Sequence, residues 1–181
     1  MHILITGASG SGTSTLAAAL AEAMHARFLD TDDYFWLPGD PPYQQKRPKN
    51  ERGALLIKDL HTGDDAVVAG SVIDWGADIE NAFDLIVFLY LPTDIRLARI
   101  KVREENRYGK VDPAFLVWAA QYDAGTAEGR SLEGHRRWLR DRTCEVLYLE
   151  GDYSVEQRLQ KVLATLSNMH SKIARSDTTP K

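Results

Sequence analysis

The sequence contains a single cysteine and no apolar run long enough to cross a membrane. Cys144 stands alone, which excludes an internal disulfide bond, and the five histidines show none of the helical pairing typical of a zinc site. A membrane-spanning helix needs about 20 apolar residues, and the apolar stretch within Met1–Thr6 is too short for a signal peptide. We therefore expect a cytoplasmic protein without a membrane partner.

Positive charge is also in short supply. The chain has 22 Lys and Arg against 26 Asp and Glu, a net charge of -4. This balance argues against general attraction to nucleic acid, and no motif for reading a nucleic acid is recognisable. An anionic ligand must therefore be bound by local groups.

The length of 181 residues fits one domain, which we place at residues 1–166, with a frayed tail at 167–181. Short apolar, β-branched runs predict five strands: His2–Thr6, Arg27–Asp30, Asp65–Gly70, Asp84–Leu91 and Glu145–Leu149. Helical patterns alternate with them: Leu16–Ala26, Glu51–Leu60, Thr93–Tyr108, Pro113–Tyr122, Leu132–Arg142 and Ser154–Met169. Such alternation predicts an α/β fold, a three-layer α/β/α sandwich around a five-stranded parallel sheet.

A glycine-rich segment follows the first strand. Gly7–Ser14 (GASGSGTS) matches the pattern G-x-x-x-x-G-K-[ST] at every defined position except the lysine, and it has the required strand before it and helix after it. Backbone N–H groups of such a loop, together with the positive end of the helix, bind phosphate. An ordinary Gly/Ser turn is the alternative. The predicted phosphate-binding residues are Gly7, Ala8, Ser9, Gly10, Ser11, Gly12, Thr13, Ser14 and Thr15.

Thr13 stands where the motif has lysine. That lysine normally reaches the β- and γ-phosphates and stabilises the charge of phosphoryl transfer, and the loss of such a contact costs on the order of 2–4 kcal/mol in a transition state. Either another cation replaces it or the domain is catalytically weak.

Carboxylates leave the end of the second strand, in Asp30-Thr31-Asp32-Asp33. Ligands of open α/β sheets bind at this edge. Carboxylates there suit Mg²⁺ ligation or acceptance of a proton from a hydroxyl, which we favour for Asp30 and Asp32. The alternative, helix capping, fits Asp33.

The order of these motifs resembles the small P-loop kinases of the adenylate kinase and shikimate kinase type. It comprises the glycine loop, the DTD motif, VVAGS at 67–71, an arginine-rich helix and GRSL at 129–132. The segment LDTDDYFWLPG at 29–39 is also similar to kinases related to the DNA topology modulation protein. The resemblance covers about residues 1–165 and implies a P-loop fold with a helical lid at about 109–134.

The resemblance implies a role for each matching residue. Ser14 and Asp30 would hold Mg²⁺, and Asp32 would bind the acceptor hydroxyl and take its proton. Gly70 and Ser71 would lie against the acceptor, and Arg130 would be a lid arginine.

Arginines and aromatic residues supply further candidates. Arg96–Lys110 carries six basic and two acidic side chains; a solvated helix face is the simplest interpretation of the whole stripe, but Arg96 and Arg99 are candidate phosphate contacts. Trp36 and Trp75 are candidates for contact with the acceptor, whereas Trp118 and Trp138 are expected in the core.

The predicted function is transfer of the γ-phosphoryl group of Mg²⁺–ATP, or a related triphosphate, to a nucleotide, nucleoside or other small acceptor. The alternative is a nucleotide-binding module without catalysis.

Overall fold

The computed structural model describes residues 1–40, 42–126 and 129–176. Five strands form one sheet: β1 (His2–Gly7), β2 (Arg27–Asp30), β3 (Ala66–Ala69), β4 (Leu85–Tyr90) and β5 (Glu145–Glu150). All neighbouring pairs are parallel, in the order β2-β3-β1-β4-β5. The predicted five-stranded parallel sheet is confirmed.

The sheet order places β1 at the centre. Ile5 pairs with Ala69 on one side and with Val87 on the other. Because a parallel strand between two neighbours is covered on both faces, it is apolar along its length, as residues 3–5 of β1 are. The glycine loop therefore leaves the most enclosed strand of the sheet.

Eight helices surround the sheet in the described part of the chain. They are α1 (Thr13–Met24), α2 (Thr31–Phe35), α3 (Lys49–Leu60), α4 (Ala77–Glu80), α5 (Thr93–Tyr108), α6 (Pro113–Ala120), α7 (Leu132–Arg140) and α8 (Val155–Ser176). The short helices α2 and α4 were not predicted. Helix α8 runs beyond the predicted end at Met169 to Ser176, so residues 167–176 are helical rather than a frayed tail; residues 177–181 lie outside the described residues.

Two core layers lie on opposite faces of the sheet. Ile3 and Ile5 point to the face covered by α1 and α8, and Leu4 points to the face covered by α3, α4 and α7. This alternation follows from the two-residue period of a strand. The result is the predicted α/β/α sandwich. Within the described residues, no helix combines the length and the apolar character that a membrane span requires.

Candidate active site

A cleft of about 2040 Å³ opens at the carboxyl edge of the sheet. Its floor is the glycine loop, and its walls come from the ends of β2 and β3, helices α2, α3 and α5, the segment around α6 and α7, and the first turns of α8. The predicted site residues that line it are Gly7, Ala8, Ser9, Gly10, Gly12, Thr13, Ser14, Thr15, Asp30, Asp32, Trp36, Gly70, Ser71, Trp75, Arg99 and Arg130. Ser11 is buried in the loop itself, and Arg96 lies behind it.

The glycine loop has the backbone that an anion cradle needs. Gly10 and Gly12 adopt φ values of 83° and 93°, in the left-handed region that favours glycine. Gly12 is the N-cap residue of α1, and no side chain caps that helix. The first N–H groups of α1 are therefore left for a ligand, and the helix dipole favours an anionic one.

Ser14 and Asp30 are joined at the edge of this cradle. The Ser14 hydroxyl donates to Asp30 Oδ2 at 2.9 Å, and the other carboxylate oxygen accepts from the backbone N–H of Asp32 at 3.0 Å. Asp30 is thus the N-cap of α2, the role that the sequence favoured for Asp33. A hydroxyl beside a carboxylate is a donor set that fits Mg²⁺, which prefers oxygen ligands.

Asp32 lies in the cleft next to this pair. Burial between the cleft walls raises its pKa, and the negative charge of Asp30 raises it further, whereas Arg130 and a hydrogen bond from Trp36 lower it. The net shift is upward, so Asp32 is a better proton acceptor than an ordinary aspartate.

Arg130 faces Asp32 from the segment that precedes α7. Burial lowers its pKa, and the charge of Asp32 opposes that effect. Its guanidinium carbon lies 5.9 Å from the ring centre of Trp118. Trp118 was expected in the core, but it is half-buried on the cleft wall. The structure therefore brings the charges of Asp32 and Arg130 within interaction range of each other, in the cleft that the glycine loop also lines.

Arg96 is not available to a ligand in this structure. It is fully buried, and its five N–H donors are all used. The acceptors are the carbonyls of Leu91, Ser9 and Ala119, the hydroxyl of Thr93 and the carboxylate of Asp123. Arg96 therefore ties the glycine loop to α5 and α6, and we leave it out of the catalytic groups.

Other arginines of α5 do face the cleft. Arg99 lines it and pairs with Asp152 in the loop before α8. Arg103 and Arg107 also line it, so this part of the stripe is a cleft wall rather than only a solvated face. Burial therefore separates Arg96 from the other arginines of the stripe, Arg99, Arg103 and Arg107, which line the cleft.

The far wall of the cleft is aromatic. Trp36 packs edge-on against Phe35, with ring centres 4.8 Å apart, and Trp75 stacks on Phe35 at 6.3 Å. Trp75 belongs mostly to the core, with one side on the cleft. Gly70 adopts φ 114°, and a Cβ there would lie 1.8 Å from Thr31 Oγ1. A close approach of β3 to α2 therefore requires this glycine, which leaves Ser71 beside the cleft.

Arg52 is a cleft residue that sequence reasoning missed. It is 6 % exposed, its guanidinium carbon lies 3.8 Å from the ring centre of Phe35, and its Nε donates to the carbonyl of Arg47 at 2.7 Å. Burial lowers the pKa of Arg52, and no carboxylate among the described residues offsets that effect. None of the ion pairs among the described residues includes it. No motif distinguishes this arginine in the sequence.

His135 was also missed. It is fully buried on α7, with Nε2 3.4 Å from the hydroxyl of Thr6 on β1 and Nδ1 2.6 Å from the hydroxyl of Tyr122. Burial, with a contribution from Arg130, lowers the pKa of His135 to about 3. The imidazole is therefore neutral at pH 7 and links α7 to the strand that carries the glycine loop.

The central strand, glycine loop and helix, set in a parallel sheet with β1 in the middle, define a P-loop kinase fold. The model of the AAA domain family matches residues 3–113. The chain is 42% identical over 177 residues to the uncharacterized protein YqaC of Bacillus subtilis (strain 168), and the match covers 92% of this chain and 98% of YqaC. The chain therefore belongs to the AAA domain family.

Solved structures of kinases share the fold. A gluconokinase from Sinorhizobium meliloti 1021 has a TM-score of 0.64 at 18% identity and covers 97% of this chain and 96% of its own. A shikimate kinase from Bacteroides thetaiotaomicron has a TM-score of 0.58 at 18% sequence identity, and the match covers 92% of this chain and 98% of the shikimate kinase chain. A deoxyadenosine kinase from M. mycoides with bound dATP has a TM-score of 0.60 at 13% sequence identity, and the match covers 92% of this chain and 100% of the deoxyadenosine kinase chain. At these identities the likeness concerns the fold, and it confirms the predicted P-loop kinase architecture.

Proposed function

We propose that the protein is an ATP-dependent phosphotransferase. It transfers the γ-phosphoryl group of ATP, or of another nucleoside triphosphate, to a hydroxyl of a small acceptor. The observation that carries this proposal is that Asp32 and Arg130, whose charges act on each other, line the same cleft as the glycine loop and the Ser14–Asp30 pair.

The nucleotide occupies the glycine-loop side of the cleft. Backbone N–H groups of the loop and of the first turn of α1 bind the phosphates. Ser14 and Asp30 would hold Mg²⁺, which would supply positive charge against the phosphate oxygens. Arg99, beside the first turns of α8, lines the same end of the cleft.

Asp32 and Arg130 act on the reacting groups. The acceptor oxygen forms a bond to the γ-phosphorus as the bond to the bridging oxygen of ADP breaks, and the hydroxyl proton moves to Asp32. Its raised pKa suits Asp32 to that task. Arg130 donates to the transferring group and stabilises the charge on its oxygens.

The acceptor binds on the aromatic side and carries an anionic group. Arg52 offers a nearly buried guanidinium without an ion-pair partner among the described residues, and a buried cation is stabilised by an anion. Trp36 and Trp75 flank the same space. A carboxylate or phosphate that bears a hydroxyl fits these groups, and a nucleoside monophosphate or a hydroxy acid each meets that description.

An acceptor screen tests the proposal. ADP formation from Mg²⁺–ATP is measured with pairs of hydroxyl compounds that differ by a carboxylate or a phosphate. We expect ADP formation that depends on an anionic acceptor and is lost in Asp32→Asn. A protein that binds ATP but transfers phosphate to none of the compounds contradicts it.

Because Thr13 replaces the loop lysine, a second candidate function is a nucleotide-binding module without catalysis. The substitution of the loop lysine favours it. The two candidates differ in what Thr13→Lys does. A module that lost its chemistry gains transfer activity from the lysine, whereas an enzyme with a replacement cation gains little.

A further inference from the structure

Arg158, in the second turn of α8, is a buried arginine pressed against the glycine loop. It is 2% exposed. Its Nη1 donates to the carbonyl of Ser11 at 2.7 Å, and its Nη2 donates to the carbonyl of Gly151 at 3.2 Å. Its Nε is buried and has no hydrogen-bond partner among the described residues. The guanidinium is thus fixed in place with part of its donor capacity unused.

No carboxylate among the described residues forms an ion pair with Arg158. Asp152, in the loop between β5 and α8, pairs with Arg99. Its charge also acts on Arg158 without forming an ion pair, and burial together with Arg99 outweighs it, so the pKa of Arg158 is lowered. Buried charges in proteins are ordinarily paired, because the loss of hydration is costly. Arg158 and Arg99 therefore contribute positive charge beside the glycine loop that Asp152 alone does not offset, and this charge favours an anionic ligand in the cleft.

The guanidinium of Arg158 lies beside the residue that precedes the position of the missing loop lysine. A Cβ on Gly12 would lie 3.1 Å from Nη1 of Arg158 and 3.9 Å from Nη1 of Arg99. Gly12 directly precedes Thr13, the residue that replaces the lysine. Two guanidinium groups therefore stand beside the position from which the lysine would reach the phosphates.

The hydrogen bond to Ser11 also orients the cradle. The carbonyl of Ser11 and the N–H of Gly12 belong to one peptide unit, and in a trans peptide they point in opposite directions. Because Arg158 holds the carbonyl, the N–H of Gly12 is turned to the opposite side of the loop. Successive N–H groups turned to one side form an anion-binding nest.

We propose that Arg158 replaces the glycine-loop lysine: from α8 it supplies the positive charge and the peptide orientation on which triphosphate binding depends. This inference rests on the proposed nucleotide site and names the residue that sets its affinity. Arg158 acts here as a positioning and electrostatic group in binding, separate from Arg130, which faces the reacting groups.

Binding measurements on matched variants test it. The dissociation constants of Mg²⁺–ATP, Mg²⁺–ADP and adenosine are measured by calorimetry for the wild type, Arg158→Gln, Arg158→Lys and the control Arg140→Gln. Arg140 is exposed, lies outside the cleft and pairs with Glu133. The control therefore removes the same charge at a distance from the loop.

We expect Arg158→Gln to weaken ATP binding by ~10–100-fold, as for loss of a hydrogen bond to a charged group. The affinity of Arg158→Gln for ADP should fall by a smaller factor, and its affinity for adenosine should equal that of the wild type. Arg158→Lys should weaken ATP binding less than Arg158→Gln does, because it keeps the charge but not both guanidinium hydrogen bonds, and Arg140→Gln should not differ from the wild type. Thr13→Lys should restore most of the ATP affinity of Arg158→Gln.

Each contrary result is distinct. A wild type that binds no triphosphate contradicts the proposed function and this inference together. Binding of ATP that is unchanged in Arg158→Gln, or weakened equally for ATP and adenosine, overturns the inference and leaves the proposed function standing. If Arg158→Gln does not fold, the single variant Thr13→Lys tests the inference. A gain in ATP affinity of ten-fold or more in Thr13→Lys shows that the wild-type site lacked a cation, and this result also overturns the inference.

Discussion

The two ends of the cleft are built in different ways. At the proposed nucleotide end, the backbone of the glycine loop is held by two buried arginines: Arg96 donates to the carbonyl of Ser9, and Arg158 donates to the carbonyl of Ser11. The acceptor end consists of side chains, with Asp32, Trp36 and Arg52 facing the space directly. On the proposed function, phosphate recognition would depend on the loop backbone, whereas acceptor recognition would depend on individual side chains.

This difference separates binding from transfer. A change in the braces behind the glycine loop should alter stability or nucleotide affinity, and a change at the acceptor end should alter turnover or acceptor affinity alone. Substitutions at each end should therefore give distinct outcomes.

The largest expected effect is on folding. Arg96→Met removes the side-chain donor to the carbonyls of Leu91 and Ala119 and the charged partner of Asp123, which, among the described residues, keeps only the hydroxyls of Thr93 and Tyr90. Breaking such a buried network costs about 3–5 kcal/mol in the free energy of unfolding. Urea denaturation followed by circular dichroism measures it. In the control, Arg103→Met, a half-exposed ion pair with Glu104 and a distant contact with the ring of Phe115 are lost, so the change should stay below about 1 kcal/mol. Equal losses in both variants would contradict the role of Arg96 as a brace.

The next effect is on turnover. We expect Arg130→Ala to lower kcat by ~10²–10³-fold, the loss of a few kcal/mol of transition-state stabilisation, with ATP affinity changed little. Steady-state kinetics with the acceptor found in the screen measures it, with the exposed Arg140→Ala as the control. A rise in KM for ATP with kcat unchanged would instead place Arg130 at the nucleotide end.

The strand, loop and helix at the proposed nucleotide end could be predicted from the sequence because their signals are local. Gly7–Ser14 carries the strand, turn and helix signals in consecutive residues, and Ser14 and Asp30 are placed by the ends of two predicted strands. Arg96 and Arg99 look alike in the sequence, and only the packing of α6 and the turn at Asp123 against α5 buries one of them.

The braces and the acceptor groups could not be predicted in this way. Arg52 and Arg158 are single arginines on amphipathic helices, and nothing local separates them from exposed ones. Their contacts are long-range, as the hydrogen bond from Arg158 to Ser11 shows. Trp118 is likewise placed by the segment that follows α6, which brings Arg130 next to it.

A smaller effect concerns the acceptor. Arg52→Gln should raise the acceptor KM by ~10–100-fold, the range for a lost hydrogen bond to a charged group, and should leave ATP affinity unchanged. The matched control is Lys58→Gln, an exposed charge on the same helix that lies outside the cleft. An equal change with a neutral acceptor would show that Arg52 acts through packing on Phe35 rather than through charge.

The smallest effect is on the pH dependence of stability. The pKa of Asp32 is raised in the folded protein, so at pH 7 the ionised carboxylate is less favourable there than in the unfolded chain. Below the unfolded pKa the carboxyl is protonated in both states and this penalty vanishes. Asp32→Asn should therefore raise the melting temperature slightly at pH 7 and leave it unchanged near pH 3. Thermal unfolding at the two pH values measures this, and a lower melting temperature at pH 7 would contradict the direction of the pKa shift.

The most direct measurement is a single-turnover experiment with excess protein, γ-labelled Mg²⁺–ATP and the acceptor, carried out on the wild type and Asp32→Asn beside the ATP dissociation constant of each. If one end of the cleft binds and the other transfers, both proteins bind ATP within a few-fold of each other. The wild type then moves the label to the acceptor, and Asp32→Asn does so at least ~10²-fold more slowly. Equal transfer rates in the two proteins, or binding and transfer lost together, would contradict the account.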